Sequence, residues 1–194
     1  MNSERAIEDL KEAVKLDDEN YLAWYNLVIL DEGTIVPDYL LDSDQFTPML
    51  NLLGANACEQ GEYALSIEYH SKAIEANEDN ELGYLSRGKS LLRIRLYDSA
   101  RKDFLKTMKL NPNRIETFYL IGNSFFHERK FHKAIGFYEQ YLSIDRGYKN
   151  VWYNAAMAYL QVGNSERACV CLNNAKNLGM DKAEDQIAKQ CDNQ

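Results

Sequence analysis

Residues that interrupt helices are scarce in this sequence, which has only three prolines and ten glycines among 194 residues. Because proline cannot continue a helix and glycine weakens one, their scarcity favours a helix-rich, folded chain. Long apolar runs are missing as well. The longest, YLAWYNLVIL, has ten residues, whereas a membrane-spanning helix needs roughly 20. We therefore expect an all-α chain that neither crosses nor binds a membrane.

A signal peptide is also missing from the start of the chain. The stretch MNSERAIEDLKEAV is polar and acidic, without the basic segment and the apolar core that signal peptides share. The expected compartment is the cytoplasm, although a signal removed beforehand would leave no trace in the sequence.

Cysteine and histidine are too few and too dispersed to predict a metal site. The four cysteines form no CxxC pair, and the three histidines share no helical spacing suited to one metal. We expect free thiols, while a disulfide from Cys191 to Cys169 or to Cys171 stays open. No GxSxG, HExxH, P-loop or Rossmann glycine motif occurs. The sequence therefore predicts no catalytic residue, no cofactor and no metal, and hence no enzyme.

The net charge of −8 is unevenly distributed along the chain. Residues 1–46 contain 3 basic and 12 acidic residues, residues 47–80 contain 1 and 6, and residues 81–114 contain 9 and 3. Overall acidity argues against nucleic-acid binding, which needs a basic face. The basic window is the one reservation, and its candidates are Arg87, Lys89, Arg93, Arg95, Arg101 and Lys102.

A 34-residue period runs through most of the chain. Gly54, Gly88 and Gly122 are 34 residues apart, and Ala156 follows at the next step. A glycine inside a helix costs roughly 1 kcal/mol relative to alanine, so its repetition predicts close contact between paired helices. Apolar residues stand four before and three after each small residue, on the same helical face. They are Leu50, Tyr84, Phe118 and Trp152 before it, and Ala57, Leu91, Phe125 and Tyr159 after it.

A second helix follows the first in each window and ends in a turn. The segment LSRGKSLLRIRLYDSARKDFLKTMKLNP, residues 85–112, resembles a tetratricopeptide repeat. It has the bulky residue, Gly, aromatic residue, Ala, second aromatic residue and terminal Pro of that family at the same spacing. Ser66 and His70 depart from the pattern, since a small apolar residue and an aromatic residue are usual at these two places.

The resemblance covers residues 47–182 as four repeats: 47–80, 81–114, 115–148 and 149–182. It implies a right-handed α-solenoid of antiparallel helix pairs, with residues 183–194 as a C-terminal capping helix and tail. Residues 1–31 repeat parts of the same pattern and are predicted to form the helices of a partial repeat.

The stretch DEGTIVPDYLLDSDQF, residues 31–46, breaks the period. Trp24 and Leu50 match each other in the pattern, yet they are 26 residues apart, eight fewer than one period. We therefore expect residues 32–46 to form an irregular, shortened connector in place of a second helix. Two interpretations stay open: a solvated connector, or an acidic, partly apolar strand that folds back onto Lys89 and Arg93.

The resemblance also implies a binding surface, because tetratricopeptide proteins line a concave groove with their first helices. The groove holds an extended peptide or a partner helix, so the chain is expected to be a scaffold for a peptide or protein of unknown identity. The alternative is a structural subunit that associates with itself, or docks on a neighbouring domain, through its exposed solenoid ends; self-association is expected at the N-terminal end. Carried over residue by residue, the lining consists of Tyr119, Asn123, Phe126, Tyr153, Asn154, Met157, Lys89 and Arg93.

Overall fold

A computed structural model describes residues 2–31, 33–41 and 44–191 of the chain. Within these ranges the chain forms twelve α-helices, one short 3-10 helix at Asp44–Phe46 and no β-strand. The helices are α1 Asn2–Leu16, α2 Tyr21–Leu30, α3 Asp38–Leu41, α4 Thr47–Glu59, α5 Tyr63–Ala76, α6 Glu81–Arg93, α7 Tyr97–Leu110, α8 Glu116–His127, α9 Phe131–Ile144, α10 Lys149–Gln161, α11 Ser165–Asn177 and α12 Asp181–Gln190.

The chain folds as two compact units, Met1–Ile94 (unit 1) and Arg95–Gln194 (unit 2). Unit 1 contains α1 to α6, and unit 2 contains α7 to α12. Within each unit, consecutive helices joined by short turns pack against each other. The fold is therefore all-α and built from adjacent helix pairs, as the sequence predicts.

Asparagine side chains fix the start of several helices. The side-chain oxygen of an asparagine directly before the helix accepts a hydrogen bond from a backbone N–H in the first turn, which would otherwise lack a partner. Such a cap contributes ~1 kcal/mol relative to alanine. The capping pairs are Asn20 with Ala23, Asn80 with Gly83, and Asn164 with Arg167.

The shortened segment between α2 and α4 is part of the core of unit 1. Val36, Leu40 and Leu41 are at most 7% exposed and pack in the cluster that contains Phe46 and Leu50. The expectation of a solvated connector is therefore wrong for these residues. Without a full second helix, the segment covers the apolar face of its neighbours with individual side chains.

Polar contacts at the surface hold the same segment in place. The Tyr39 hydroxyl donates to Asp18 Oδ2 at 2.9 Å, and Lys11 forms an ion pair with Asp31 at 3.0 Å. The fold-back hypothesis requires the apolar side chains of the segment to be free for the groove. Leu40 and Leu41 are buried in the core of unit 1 and are not free for the groove, whereas Ile35 and Tyr39 are exposed.

Glycine allows the close helix contacts that its period predicts. A Cβ atom added to Gly54 on α4 would lie 2.6 Å from the His70 ring on α5. A Cβ atom added to Gly122 on α8 would lie 2.5 Å from the Tyr138 ring on α9. Both rings are buried, so each glycine forms the surface against which an aromatic ring lies.

The last helix covers the end of unit 2. α12 packs on α11, where Ala183 is fully buried and Ile187 contacts the core of unit 2. Cys169 and Cys191 form a disulfide, with 5.8 Å between their Cα atoms. The expectation of a free thiol is therefore wrong for these two cysteines, because α12 folds back and brings Cys191 to the first half of α11. Cys58 and Cys171 are free.

Two absences hold for residues 2–31, 33–41 and 44–191. No helix there is long and apolar enough to cross a bilayer. Nor do those residues contain a group of three or more metal-ligating side chains that could hold an ion.

Candidate functional site

Four of the predicted groove residues lie on two consecutive first helices of unit 2. Tyr119 and Asn123 are one turn apart on α8, and Tyr153 and Asn154 lie on α10. A spacing of four residues places Tyr119 and Asn123 on one face of α8. The sequence therefore positions an aromatic ring and an amide side by side.

Hydrogen bonds join three of these residues to a buried tyrosine. The Asn154 Nδ2 donates to the Tyr119 hydroxyl oxygen at 3.2 Å and to Asn123 Oδ1 at 2.9 Å. The Tyr138 hydroxyl, from α9, donates to the same Asn123 oxygen at 2.8 Å. Asn123 thus links α8, α9 and α10. We call Tyr119, Asn123, Tyr138 and Asn154 the amide cluster.

Both tyrosines of the amide cluster are neutral at physiological pH. Burial is the main cause that raises the pKa of Tyr119, and burial raises the pKa of Tyr138 further, because its ring is fully enclosed. The asparagines carry no charge either. The amide cluster therefore offers hydrogen-bond donors and acceptors without a net charge.

A cavity of about 400 Å³ opens beside the amide cluster. It is bounded by α8, α10 and the turn that leads into α12, and the Lys149 Nζ donates to the Gly179 carbonyl oxygen at 2.8 Å across it. Its lining consists of Tyr119, Lys149, Asn150, Tyr153, Asn154, Gly179, Met180, Asp181 and Lys182.

Six of these lining residues were not predicted from the sequence: Lys149, Asn150, Gly179, Met180, Asp181 and Lys182. The 34-residue period could have predicted several of them, because α12 begins about one period after α10. The first turn of α12 is therefore expected beside α10, as α10 is beside α8.

Two other predicted groove residues serve the core as well. Phe126 packs against the core of unit 2, with its ring centroid 5.4 Å from that of Phe131. Met157 also packs on that core. Phe126 therefore packs within unit 2, and a role of Phe126 in ligand binding stays a prediction.

The two predicted basic residues lie in the other unit. Lys89 and Arg93 are on α6 of unit 1, where Lys89 is half-buried and Arg93 is exposed. In unit 2, Arg101 of the basic window is buried, and its guanidinium group forms ion pairs with Asp98 and Glu128. Arg101 is thus a structural residue and does not contribute to a basic surface.

Unit 1 has a related cavity of about 700 Å³ on its own first helices. Here Asn51 Nδ2 donates to Asn80 Oδ1 at 3.3 Å, and His70 Nδ1 lies 3.4 Å from Asn51 Oδ1. The lining residues are Tyr25, Thr47, Pro48, Asn51, Ala76, Asn77, Asn80 and Leu82. Both units therefore pair a first-helix cavity with hydrogen-bonded asparagines.

Known sequences resemble this chain over part of its length. A family model described as "Tetratricopeptide repeat" matches residues 150–178. The tetratricopeptide repeat-containing protein trd-1 of Caenorhabditis elegans is 26% identical over 116 residues, which are 59% of this chain and 15% of that protein. The small glutamine-rich tetratricopeptide repeat-containing protein 2 of Mycosarcoma maydis is 25% identical over 92 residues, 47% of this chain and 26% of that protein. The chain thus matches a minor part of each relative.

Solved structures resemble the chain over nearly its whole length. YrrB, described as a TPR protein with an unusual peptide-binding site, is 18% identical and covers 94% of this chain and 98% of its own, with a TM-score of 0.70. MamA is 19% identical and covers 94% of this chain and 89% of its own, with a TM-score of 0.60. At these identities the likeness shows the fold alone: paired antiparallel helices of the α-solenoid class.

Proposed function

Because this chain is a tetratricopeptide-repeat protein, we propose that it binds an extended peptide segment of a partner protein at the amide cluster and cavity of unit 2. Tetratricopeptide proteins generally mediate protein–protein interaction. The observation that carries the proposal is the hydrogen-bonded amide cluster at the edge of an open cavity. The proposal involves no catalytic residue and no cofactor.

The amide cluster has hydrogen-bonding groups left over for a ligand. Asn154 uses its Nδ2 group internally, and Asn123 uses its Oδ1 atom. A carboxamide has one carbonyl oxygen and two N–H groups. Asn154 Oδ1 therefore remains as an acceptor, and at least one N–H of Asn123 remains as a donor. A peptide backbone presents the complementary pair, one C=O and one N–H, whatever its side chains are.

Preorganisation favours binding at this place. The hydroxyl groups of Tyr138 and Tyr119 hold the two amides in one orientation, so a ligand need not order them on binding. Tyr153 and Met180 line the cavity beside them and offer apolar area for a side chain of the ligand. The ligand expected is a strand that bonds the amides through its backbone and places an apolar side chain in the cavity.

A selection of phage-displayed random peptides against the chain, followed by calorimetry on the selected peptides, tests the proposal. Asn154→Ala removes the free acceptor but leaves the bond between Tyr138 and Asn123 intact. We expect it to weaken the selected peptides about tenfold or more, since loss of a hydrogen-bonding anchor costs over about 1.4 kcal/mol. Tyr153→Ala should weaken them as well.

Asn173→Ala is the matched control, because Asn173 is an exposed asparagine of unit 2 whose side chain bonds only its own helix. It should leave affinity and melting temperature unchanged. Peptides that bind Asn154→Ala and the wild-type chain equally well would place the binding site elsewhere.

Self-association is a second candidate function, carried by a specific feature of unit 1. α2 contains no charged residue, and such a helix is ordinarily buried on all sides. Yet Leu22, Ile29 and Leu30 on α2 are 66%, 49% and 44% exposed. Multi-angle light scattering over a dilution series tests this function. A constant monomer mass at all concentrations excludes it, and loss of a dimer on Leu22→Glu supports it.

A further inference from the structure

Unit 2 contains a second cavity, of about 550 Å³, on the side of its second helices. It lies between α9 and α11, and Trp152, Ala155 and Tyr159 of α10 face it. Tyr153 and Asn154 point to the first cavity instead. The two cavities therefore use different faces of α10, and a ligand of one does not occupy the other.

A comparison with the preceding repeat explains why this cavity is open. One period earlier, Phe125 takes the place of Tyr159, and Phe137 takes the place of Cys171. Phe137 stacks on Phe125 with 5.6 Å between their ring centroids, and the Arg101 guanidinium lies 4.4 Å from the centroid of the Phe125 ring. The Lys133 ammonium also lies 5.5 Å from that centroid, so three groups cover the earlier aromatic residue.

Two of the three covering groups are replaced in the last repeat, whereas Arg167 stands one period after Lys133 and keeps its positive charge. Cys171 is much smaller than Phe137, and Ile135 stands one period after Arg101. Cys171 is buried, and burial raises the pKa of its thiol to about 11. It is therefore protonated at neutral pH and acts as a small apolar group. The space that Phe137 fills in one repeat is left empty in the next.

Among the described residues, arginine side chains at this cavity lack acidic partners, although Arg146 Nε donates to the Leu142 carbonyl oxygen at 3.4 Å. The Tyr159 hydroxyl already bonds the Glu139 carboxylate. Arg146 and Arg167 line the cavity, and neither has an acidic partner within ion-pair distance in the part of the chain that the structure describes. Two arginines and one glutamate line the cavity, so its formal net charge is positive and an anionic ligand complements it.

The two arginines are at opposite ends of the cavity. Arg146 precedes α10, where the Trp152 indole N–H donates to its carbonyl oxygen at 2.9 Å, whereas Arg167 follows α10, in the first turn of α11. Trp152 and Tyr159 are seven residues apart on α10, which corresponds to ~10 Å along the helix axis. Exposed apolar side chains, Val170 among them at 51%, line the space between the two ends.

We propose that this cavity is a second protein-binding site, which takes an acidic segment of a partner protein. An aromatic or branched aliphatic side chain of that segment lies over Ala155 and Cys171. Carboxylates on both sides of it pair with Arg146 and Arg167. The cavity volume lies within the range of ~300–1,000 Å³ that is typical of ligand sites.

The probe is a set of acetylated hexapeptides with two glutamates at each end and two central residues drawn from Leu, Ile, Phe and Trp. The chain has two tryptophans, and each indole N–H donates to a backbone carbonyl oxygen: Trp152 at this cavity, and Trp24 in unit 1. Nitrogen-edited NMR resolves the two indole signals. We expect the Trp152 signal to shift on titration with the probes, and the Trp24 signal to stay.

Three variants test the geometry. Cys171→Phe restores the residue of the preceding repeat and should fill the cavity, which weakens the probes about tenfold or more. Arg167→Gln should weaken them severalfold and reduce the salt dependence of binding, and it keeps the test valid if Cys171→Phe folds poorly. Arg129→Gln is the charge-matched control, because Arg129 is an exposed arginine of unit 2 outside both cavities. It should leave binding unchanged.

Several results would overturn the proposal: no shift of Trp152 at probe concentrations of ~1 mM, equal shifts of both indole signals, or equal binding by the glutamine counterparts of the probes. Asn154→Ala separates this proposal from the first one. It should weaken peptide binding at the amide cluster about tenfold or more and leave the hexapeptide titration of Trp152 as it was.

Discussion

Gly122→Ala adds one methyl group at the closest contact between α8 and α9. The new Cβ would lie 2.5 and 2.7 Å from two carbon atoms of the Tyr138 ring, whereas carbon atoms ordinarily approach to ~3.5–4.0 Å. Tyr138 is fully buried, and its hydroxyl group is bonded to Asn123. The ring therefore cannot move by about 1 Å without breaking that hydrogen bond or displacing its neighbours.

Two opposing contributions determine how much Gly122→Ala changes the free energy of unfolding. Alanine in place of a mid-helix glycine stabilises a helix by ~1 kcal/mol. Overpacking of a filled core costs ~1–3 kcal/mol, and a buried hydroxyl group that loses its partner costs ~1–3 kcal/mol more. We expect a net destabilisation of about 2 kcal/mol, which lowers the melting temperature by ~4–8 °C.

Another glycine of the chain provides a control for the gain in helix stability that alanine brings. Gly136 lies inside α9, and nothing is within 4 Å of the Cβ that alanine would add there. Gly136→Ala should therefore raise the melting temperature by a few degrees, because only the gain of ~1 kcal/mol applies. Thermal unfolding followed by circular dichroism compares the two variants under the same conditions.

The last repeat suggests the compensating change. Ala156 stands one period after Gly122, and Leu172 stands one period after Tyr138; both are fully buried. Adding Tyr138→Leu to Gly122→Ala should therefore recover stability relative to the sum of the two single changes. A melting temperature of Gly122→Ala at or above that of the wild-type chain, or strictly additive effects in the double variant, would refute the contact.

Three further predictions concern pH, the disulfide and the shortened segment. Burial lowers the pKa of His70 to about 4, with Arg87 adding to the effect, while an unfolded histidine has a pKa of ~6.5. The contribution of neutral His70 to the free energy of unfolding is therefore fully present above about pH 6.5 and is lost as the pH drops towards 4, by ~2 kcal/mol at pH 5. Urea titrations at pH 7 and 5 should show this loss, and His70→Leu should remove most of the difference between the two pH values. Cys191→Ser opens a link across 22 residues, so it should cost up to ~3 kcal/mol; the melting temperature should fall on adding dithiothreitol to the wild-type chain and stay constant in the variant. Leu41→Ala should destabilise unit 1 by ~2–5 kcal/mol because Leu41 is 2% exposed, and an unchanged urea midpoint would mean that the segment is solvated after all.

Periodicity alone predicted the helices and the faces that they bury. Gly54 and Gly122 pack against aromatic rings because a 34-residue period returns the same face to the same neighbour. These features depend on local spacing, which a sequence displays directly. The choice of Tyr119, Asn123, Tyr153 and Asn154 as groove residues came instead from the resemblance to tetratricopeptide repeats, since Asn123 and Asn154 are 31 residues apart and do not repeat with the period.

Tertiary structure decided what the irregular parts of the chain do. The sequence showed that residues 31–46 lack a full second helix, but only the packing shows Leu40 and Leu41 buried there. The disulfide partner of Cys191 likewise depends on how α12 folds back on α11. Where the period fails, spacing no longer specifies which surfaces meet.

The two candidate sites of unit 2 also depend partly on the sequence and partly on the tertiary structure. The sequence determined which side chains α8 and α10 present, whereas the hydrogen bonds that fix Asn123 through Tyr138 depend on a third helix. The second cavity exists because Cys171 is smaller than the phenylalanine that closes the preceding repeat. An empty volume is set by the sizes of side chains from several helices at once, so it emerges only when those helices are packed together.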